Sequence, residues 1–155
     1  MADRPPPLDG IHHLKVFVTD LDVSLTWWKR AFGAGRDEAL DHYTPEGMLF
    51  AYILSVPGID SPVELRHDPA AARRAAGLDP VTFAVATKRD LQAWAEYLES
   101  SDIEHSGVLT AYDGWLLVTR TPDGLSIRLI TRESHGWDPA HADLSSPWLS
   151  TRQGD

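Results

Sequence analysis

The sequence predicts an α+β fold in which two βαβββ modules form a cup-shaped sheet. Each half of the chain shows the order strand, helix, strand, strand, strand, with glycine and proline residues between the elements. The apolar residues of the two halves also correspond at nearly constant offsets. One helix in each module can cover only one face of its sheet. The other faces are therefore free to curve around a shared cavity.

Residues 11–67 form the predicted first module. Residues 11–18 are rich in β-branched and aromatic side chains and predict a strand. The apolar residues Leu25, Trp28 and Phe32 then recur at helical spacing, after a Thr-Asp pair suited to a helix N-cap and before a glycine suited to end the helix. Three more strands are predicted at about residues 36–43, 48–56 and 63–67.

Residues 80–132 form the predicted second module, after a linker at residues 68–79. A Ser/Thr-x-x-acid capping pattern precedes the apolar stripe Leu91, Trp94 and Leu98. This stripe repeats that of the first helix at a constant offset of 66 residues, which supports two copies of one unit. The strands of this module are predicted at residues 81–86, 104–110, 115–121 and 125–131.

The two ends of the chain lie outside both modules. Residues 1–10 include three consecutive prolines and are predicted to be a leader. Residues 133–155 form a predicted C-terminal tail, in which two tryptophans stand among glycine, proline, histidine and serine. We expect this tail to lie against the domain surface or a partner chain, because an unstructured tail rarely keeps two tryptophans.

Composition and charge exclude several classes of function. The formal net charge of −9 argues against binding nucleic acid, which depends on clustered lysine and arginine. The sequence has no apolar run long enough to span a bilayer. It also has no cysteine, which excludes disulfides and thiolate chemistry. We expect a cytoplasmic protein that has neither nucleic acid nor a membrane as a partner.

Three segments carry motifs of one known family. Residues 10–21 (GIHHLKVFVTDL) have a histidine, alternating apolar residues and an Asp-Leu helix start, and Trp27 and Trp28 then precede a Phe-Gly pair. Residues 121–129 (TPDGLSIRL) join a Pro-Asp-Gly turn to the last strand. These motifs resemble those of the vicinal oxygen chelate superfamily, which includes glyoxalase I, bleomycin-resistance proteins and extradiol dioxygenases. The resemblance extends over about residues 10–132 and implies the paired-module fold.

The resemblance also implies positions for a metal site. In metal-dependent members, one ligand comes from each first strand and one from each last strand. These positions correspond to His13, Glu64, Pro80 and Arg128 of this chain. His13 and Glu64 suit a divalent metal ion, so such an ion is one candidate cofactor. At the other two positions, however, proline has no donor side chain and arginine repels a cation. A third donor would have to come from a residue such as His67, His42 or Tyr112, and strand alternation turns His67 away from Glu64.

Strand alternation gathers charged residues on the face of the predicted cup. If His13 faces the cup, Lys15 also does, and Glu64 shares its face with Arg66. Arg128 lies on the corresponding face of the second module. One interpretation is a structural ion pair between Glu64 and Arg128, with a hydrogen bond from His13. The other is a ligand site in which Lys15 and Arg128 receive an anionic or enolate-like group while His13 or Glu64 moves a proton.

These observations favour a small-molecule-binding protein whose cup site is metal-free or atypical and binds or transforms an organic metabolite or antibiotic. Tyr112 and Trp115, near the hairpin before the last strand, are candidate ligand contacts. The alternative is a divalent-metal-dependent enzyme of the glyoxalase, dioxygenase or lyase type with His13 and Glu64 as catalytic residues and ligands. An interaction module is a third interpretation, supported only by the tail. The resemblance further implies a homodimer, since relatives often complete the cup across a symmetric interface.

Overall fold

Two sheets, each covered on one face by a helix, form most of the part of the chain that the structure describes. A computed structural model describes residues 4–149. Residues 1–3 of the predicted leader and residues 150–155 of the predicted tail lie outside the described residues. Within the described range, both sheets are open and follow the two βαβββ modules, which confirms the predicted α+β fold.

The first module departs from the predicted pattern at one strand. Its elements are β1 Leu14–Val18, α1 Leu21–Phe32, β2 Gly35–Arg36, β3 His42–Tyr43, β4 Leu49–Ser55 and β5 Val63–His67. The sheet order is β1-β5-β4-β2, and β3 also pairs with β4. The prediction of a continuous strand at residues 36–43 is wrong. Asp37 accepts a hydrogen bond from the Ala39 amide and caps a short 3-10 turn, because its side chain competes with the strand ladder for backbone donors.

The second module repeats the sheet of the first with fewer strands. The elements after β5 are α2 Pro69–Ala75, β6 Val81–Val85, α3 Lys88–Ser100, β7 Leu109–Thr110, β8 Trp115–Arg120 and β9 Ser126–Thr131. The sheet order is β6-β9-β8-β7. The linker predicted at residues 68–79 contains α2, which Asp68 caps and a proline begins. The strand predicted at residues 104–110 is reduced to β7, because Gly107 has a φ of 71° that a strand cannot continue.

Helices α1 and α3 begin at the capping residues that the sequence predicts, and α1 ends at the predicted glycine. Asp20 accepts a hydrogen bond from the Val23 amide at the start of α1, and Gly33 ends the helix in the left-handed conformation. Thr87 and Asp90 form a reciprocal capping box at the start of α3. None of the helices in the described residues is long and apolar enough to cross a membrane.

One apolar core joins the two modules. The ring of Phe32 at the end of α1 lies 5.6 Å from that of Phe83 in β6 and 5.9 Å from that of Trp94 in α3. Beside this contact, the Tyr97 hydroxyl donates a hydrogen bond to the Arg30 carbonyl at 2.7 Å. Both helices therefore pack into a common core, and each module fixes the orientation of the other.

The helices leave one face of each sheet uncovered, and we call these the helix-free faces. In the first sheet, Val16 and Leu65 point into the core, so their neighbours in β1 and β5 point to the helix-free face. In the second sheet, Leu117 and Leu129 point into the core in the same way. The candidate functional residues lie on the two helix-free faces.

Candidate ligand-binding site

A buried carboxylate lies on the helix-free face of the first sheet. Glu64 is in the middle of β5, and the parallel register pairs it with Lys15 of β1. Only 2% of the Glu64 side chain is exposed. A carboxylate that has lost its water needs charged or hydrogen-bonding partners to offset the cost of desolvation.

Four side chains surround the Glu64 carboxylate, and we call the five residues together the Glu64 cluster. Arg66 donates to Oε1 from Nη2 at 3.0 Å and from Nε at 3.3 Å. On the other oxygen, Oε2, the Lys15 Nζ lies at 3.5 Å and the His13 Nε2 at 3.4 Å. The His42 Nε2 lies 4.0 Å from Oε1. The carboxylate is thus paired on both oxygens.

The surrounding charges keep Glu64 ionised. Burial alone would raise the pKa of its carboxyl group, but the hydrogen bonds and positive charges of Arg66 and Lys15 outweigh this effect. The pKa of Glu64 is therefore lowered from its ordinary value of 4.5. At neutral pH the site contains a fixed negative charge beneath two positive ones.

The partners of Glu64 are accessible from solvent, unlike Glu64 itself. Their exposed fractions are 37% for His13, 38% for Lys15, 44% for His42 and 35% for Arg66. Lys15 and Arg66 contribute two positive charges to the cluster against the one negative charge of Glu64. Because the cations are exposed and the carboxylate is buried, the surface presented to a ligand is positive.

A third histidine, His12, extends the cluster towards the leader. The Nδ1 atoms of His12 and His13 lie 2.9 Å apart, so one ring donates to the other. The Nε2 atom of His13 is the one that faces Glu64. Both ring nitrogens of His13 are therefore engaged, and its ring is held between His12 and Glu64.

The donor set does not fit the divalent metal ion that the family resemblance implies. Lys15 and Arg66 contact the oxygens that would bind a metal, and a cation between His13 and Glu64 would lie beside two positive charges. Among the described residues, no group of three or more His, Cys, Asp and Glu side chains is placed to hold a metal. His67 is paired in register with the core-facing Val18, which puts its side chain on the opposite face.

Arg128 and Tyr112 lie together on the second module, whereas the Glu64 cluster belongs to the first. Both residues line a cavity on the helix-free face of the second sheet. The interpretation in which Glu64 and Arg128 form an ion pair is wrong. Within residues 4–149, Arg128 pairs with Asp79 just before β6, while Glu64 pairs inside its own module. The reason is that each arginine reaches a carboxylate close to its own sheet.

Trp115 is placed differently from Tyr112. It packs against the apolar core, with the Lys88 Nζ 4.6 Å from its ring centroid and the His135 ring at 5.0 Å. Its neighbour Leu116 lines the cavity instead. The alternation along β8 therefore separates these two side chains onto opposite faces.

Sequence reasoning did not identify Arg66 as the main partner of Glu64. The alternation rule puts residues 64 and 66 on one face, and that was the available signal. The sequence indicates His42 only as a candidate third metal donor. Its position depends on the pairing of β3 with β4 across an irregular register, for which the sequence has no periodic signal.

Comparison with known proteins supports the fold. Residues 10–129 match the family model described as the Glyoxalase/Bleomycin resistance protein/Dioxygenase superfamily. No curated protein sequence matches the chain. A glyoxylase/bleomycin resistance protein/dioxygenase domain from Frankia sp. EAN1pec is a similar solved structure. It has 19% identity and a TM-score of 0.62, and the alignment covers 81% of this chain and 98% of that domain.

Two further solved structures are similar. The antibiotic binding protein TnmS3 from Streptomyces sp. CB03234 has 16% identity and a TM-score of 0.64, with 82% of this chain and 98% of that one covered. The lactoylglutathione lyase from Agrobacterium tumefaciens has 17% identity and a TM-score of 0.61, with 82% and 96% covered. At these identities the likeness shows the fold, which proteins of different activity share.

We expect Glu64→Gln to lower the free energy of unfolding at neutral pH by about 1–3 kcal/mol, because it removes the buried partner of two cations. The carboxyl pKa is lower in the folded state, so its stabilisation is present above the ordinary value of 4.5 and is lost as the pH falls through the folded pKa. The variant should therefore lose less stability than the wild type as the pH falls below 4.5 and through the lowered pKa of the folded state. Chemical denaturation over this pH series measures both effects.

The matched control for this prediction is Glu46→Gln, which makes the same change on an exposed turn. It should keep both the neutral stability and the acid dependence of the wild type. Equal effects of the two substitutions would contradict the role assigned to the buried carboxylate.

Proposed function

The chain belongs to the Glyoxalase/Bleomycin resistance protein/Dioxygenase superfamily, and we propose that it binds a small organic anion at the Glu64 cluster without a metal ion. One observation carries this proposal: a buried carboxylate holds Lys15 and Arg66 side by side on a helix-free face, with a third or more of each side chain open to solvent. The ligand class is an organic carboxylate, phosphonate or enolate.

The cations have donors left for such a ligand. Arg66 uses Nε and Nη2 on Glu64, which leaves the N–H groups of Nη1. Lys15 directs Nζ at Glu64 from 3.5 Å and has three N–H donors in all. In this proposal Glu64 positions the two cations and does not contact the ligand. The rings of His13 and His42 lie at the edge of the same surface, on either side of the carboxylate.

An apolar contact beside the cations suits a ligand with an organic body. The guanidinium of Arg66 lies 5.2 Å from the ring centroid of Phe50, which also lies 5.8 Å from the ring of His42. A ligand anchored by its charge would meet these rings with its carbon skeleton. TnmS3, which has a similar fold, is an antibiotic binding protein, and this supports binding as the function class.

We expect benzoate to bind the protein and benzamide, which has the same shape without the charge, to bind at least about tenfold more weakly. Lys15→Gln should weaken benzoate binding by a similar factor and leave the benzamide affinity unchanged. Isothermal titration calorimetry measures both affinities. The control is Lys29→Gln, an exposed lysine of α1 that makes the same change in net charge. If both lysine variants reduced benzoate binding equally, only the overall charge would be involved.

We expect protein purified without chelators to contain less than stoichiometric iron, manganese, nickel or zinc, because Lys15 and Arg66 hold the carboxylate that would have to bind the ion. Elemental analysis by mass spectrometry measures the content. A stoichiometric metal that is lost in His13→Ala would overturn the metal-free proposal and favour the enzyme alternative with His13 and Glu64 as ligands.

A homodimer is the second part of the proposal. Leu40, Tyr43 and Met48 lie in the β3–β4 region beside the Glu64 cluster, and each is more than half exposed. Exposed apolar side chains grouped next to a ligand site are typical of an interface. A symmetric partner at this edge would bury them and close the open side of the site.

We expect multi-angle light scattering to give twice the mass of the chain, and Met48→Glu to give the mass of one chain, because the variant introduces a charge at the buried interface. Val23→Glu provides the control, since Val23 is a half-exposed apolar residue on α1. A single-chain mass for the wild type at all concentrations would contradict the homodimer.

A further inference from the structure

We propose that the C-terminal tail completes a second binding site on the other module, which takes an uncharged aromatic molecule with a hydrogen-bond acceptor such as a carbonyl. The site is a cavity of about 510 Å³ between the helix-free face of the second sheet and the tail. Leu116, Arg128 and Ile130 of the sheet line one side, and Trp137, Leu144 and Leu149 of the tail line the other. Its volume is within the range for drug-sized organic ligands.

Hydrogen bonds hold the tail in place over the second sheet. The Asp143 carboxylate accepts from the Thr110 amide at 2.6 Å, and the Asp143 amide donates to the Thr110 carbonyl at 2.9 Å. Further along, the Asp138 amide donates to the Tyr112 carbonyl at 2.7 Å. The tail therefore docks along β7 and the turn that follows it, and backbone bonds fix the tail side of the cavity.

A cation–π contact secures the end of the described tail. The guanidinium carbon of Arg120 lies 4.2 Å from the ring centroid of Trp148. Arg120 is the last residue of β8 and shares its face with Arg128 through the register of β8 and β9. Trp148 thus anchors the tail to the same face of the sheet that lines the cavity.

The tail side of the cavity lies outside the part of the chain that the family model matches. The family model matches residues 10–129 and ends before the tail begins. The three tail residues that line the cavity are therefore outside the matched fold. The shared fold provides only the sheet side, so the enclosed site is an addition that nothing in the family match assigns.

The chemistry of the lining indicates the ligand class. Tyr112 and Trp137 form a tilted aromatic pair with ring centroids 5.2 Å apart, and leucine and isoleucine make up much of the remaining surface. Such a lining favours a ligand with flat apolar rings, because the rings can contact most of its surface. A highly charged ligand would lose its water there with few partners in return.

Arg128 provides the polar contact. Its Nη2 pairs with Asp79, so the charge of the guanidinium is already balanced. The side chain is 26% exposed and lines the cavity, so N–H groups of the guanidinium that do not bond to Asp79 can donate to a ligand. A balanced arginine with an unused donor suits an uncharged acceptor better than a full anion. This site therefore differs in ligand class from the Glu64 cluster, on which it does not depend.

The test uses prodan, an uncharged aromatic ketone whose emission shifts to the blue in apolar surroundings. The full-length protein should bind it saturably, at one site per chain, with a blue-shifted emission. Ala111→Trp introduces a large side chain into the lining and should abolish this binding. Ala140→Trp makes the same change at an exposed tail residue outside the lining and should leave the prodan affinity unchanged.

A second pair of variants separates ligand contact from structural effects, in case Ala111→Trp disturbs the fold. Arg128→Met and Asp79→Asn break the same ion pair. Arg128→Met should weaken prodan binding about tenfold, because the donor is lost. Asp79→Asn should leave the binding unchanged or tighter, because it frees the guanidinium. Equal weakening by both variants, binding that survives Ala111→Trp in a folded protein, or no saturable binding of prodan would each overturn the proposal.

Discussion

In both modules a helix covers one face of the sheet, and the side chains of the main strands alternate between that face and the other. The alternation sends Val16 and Leu65 into the shared core and sends Lys15 and Glu64 to the opposite face. Every candidate site of the protein depends on this division. Burial of the apolar set stabilises the modules, and the strands then carry the polar set on rigid backbone, where it can bind a ligand.

The two helix-free faces carry side chains of different chemistry on similar sheets. On the first, the buried Glu64 carboxylate organises the exposed cations Lys15 and Arg66, so a chain with a net charge of −9 presents a local positive surface. On the second, Arg128 is neutralised by Asp79, and most of the remaining lining is apolar or aromatic. The first face therefore suits charge recognition, whereas the second suits the contact area of an aromatic ring.

The C-terminal tail contributes to this difference between the two helix-free faces. The tail covers the second face and leaves the first face open, because its hydrogen bonds go to β7 and the turn after it. In the metal-binding arrangement that the family resemblance implies, matching positions of both modules would serve one ion. Here Pro80 and Arg128 stand at two of those positions. Glu64 stands at a third, and its carboxylate oxygens already contact Lys15 and Arg66. Two separate organic-ligand sites are the more consistent interpretation of these charges.

The sequence by itself determined the elements whose signals are local. Asp20 and Gly33 fix the ends of α1, and the stripe of Leu25, Trp28 and Phe32 fixes its buried face. The constant offset of 66 residues between the apolar stripes of α1 and α3 predicted that the chain contains two copies of one module. These features were predictable because capping bonds and helical periodicity depend only on residues a few positions apart.

Only the tertiary structure decided which charged groups meet. Alternation placed Glu64, Arg66 and Arg128 on the correct faces, but it could not show that Arg128 turns to Asp79 and Glu64 to Arg66. It also could not place His42 or the tail, which reach their positions through an irregular strand and long-range hydrogen bonds. The physical reason is that long side chains and tails choose partners by distance in the folded chain, and no periodicity along the sequence records that distance.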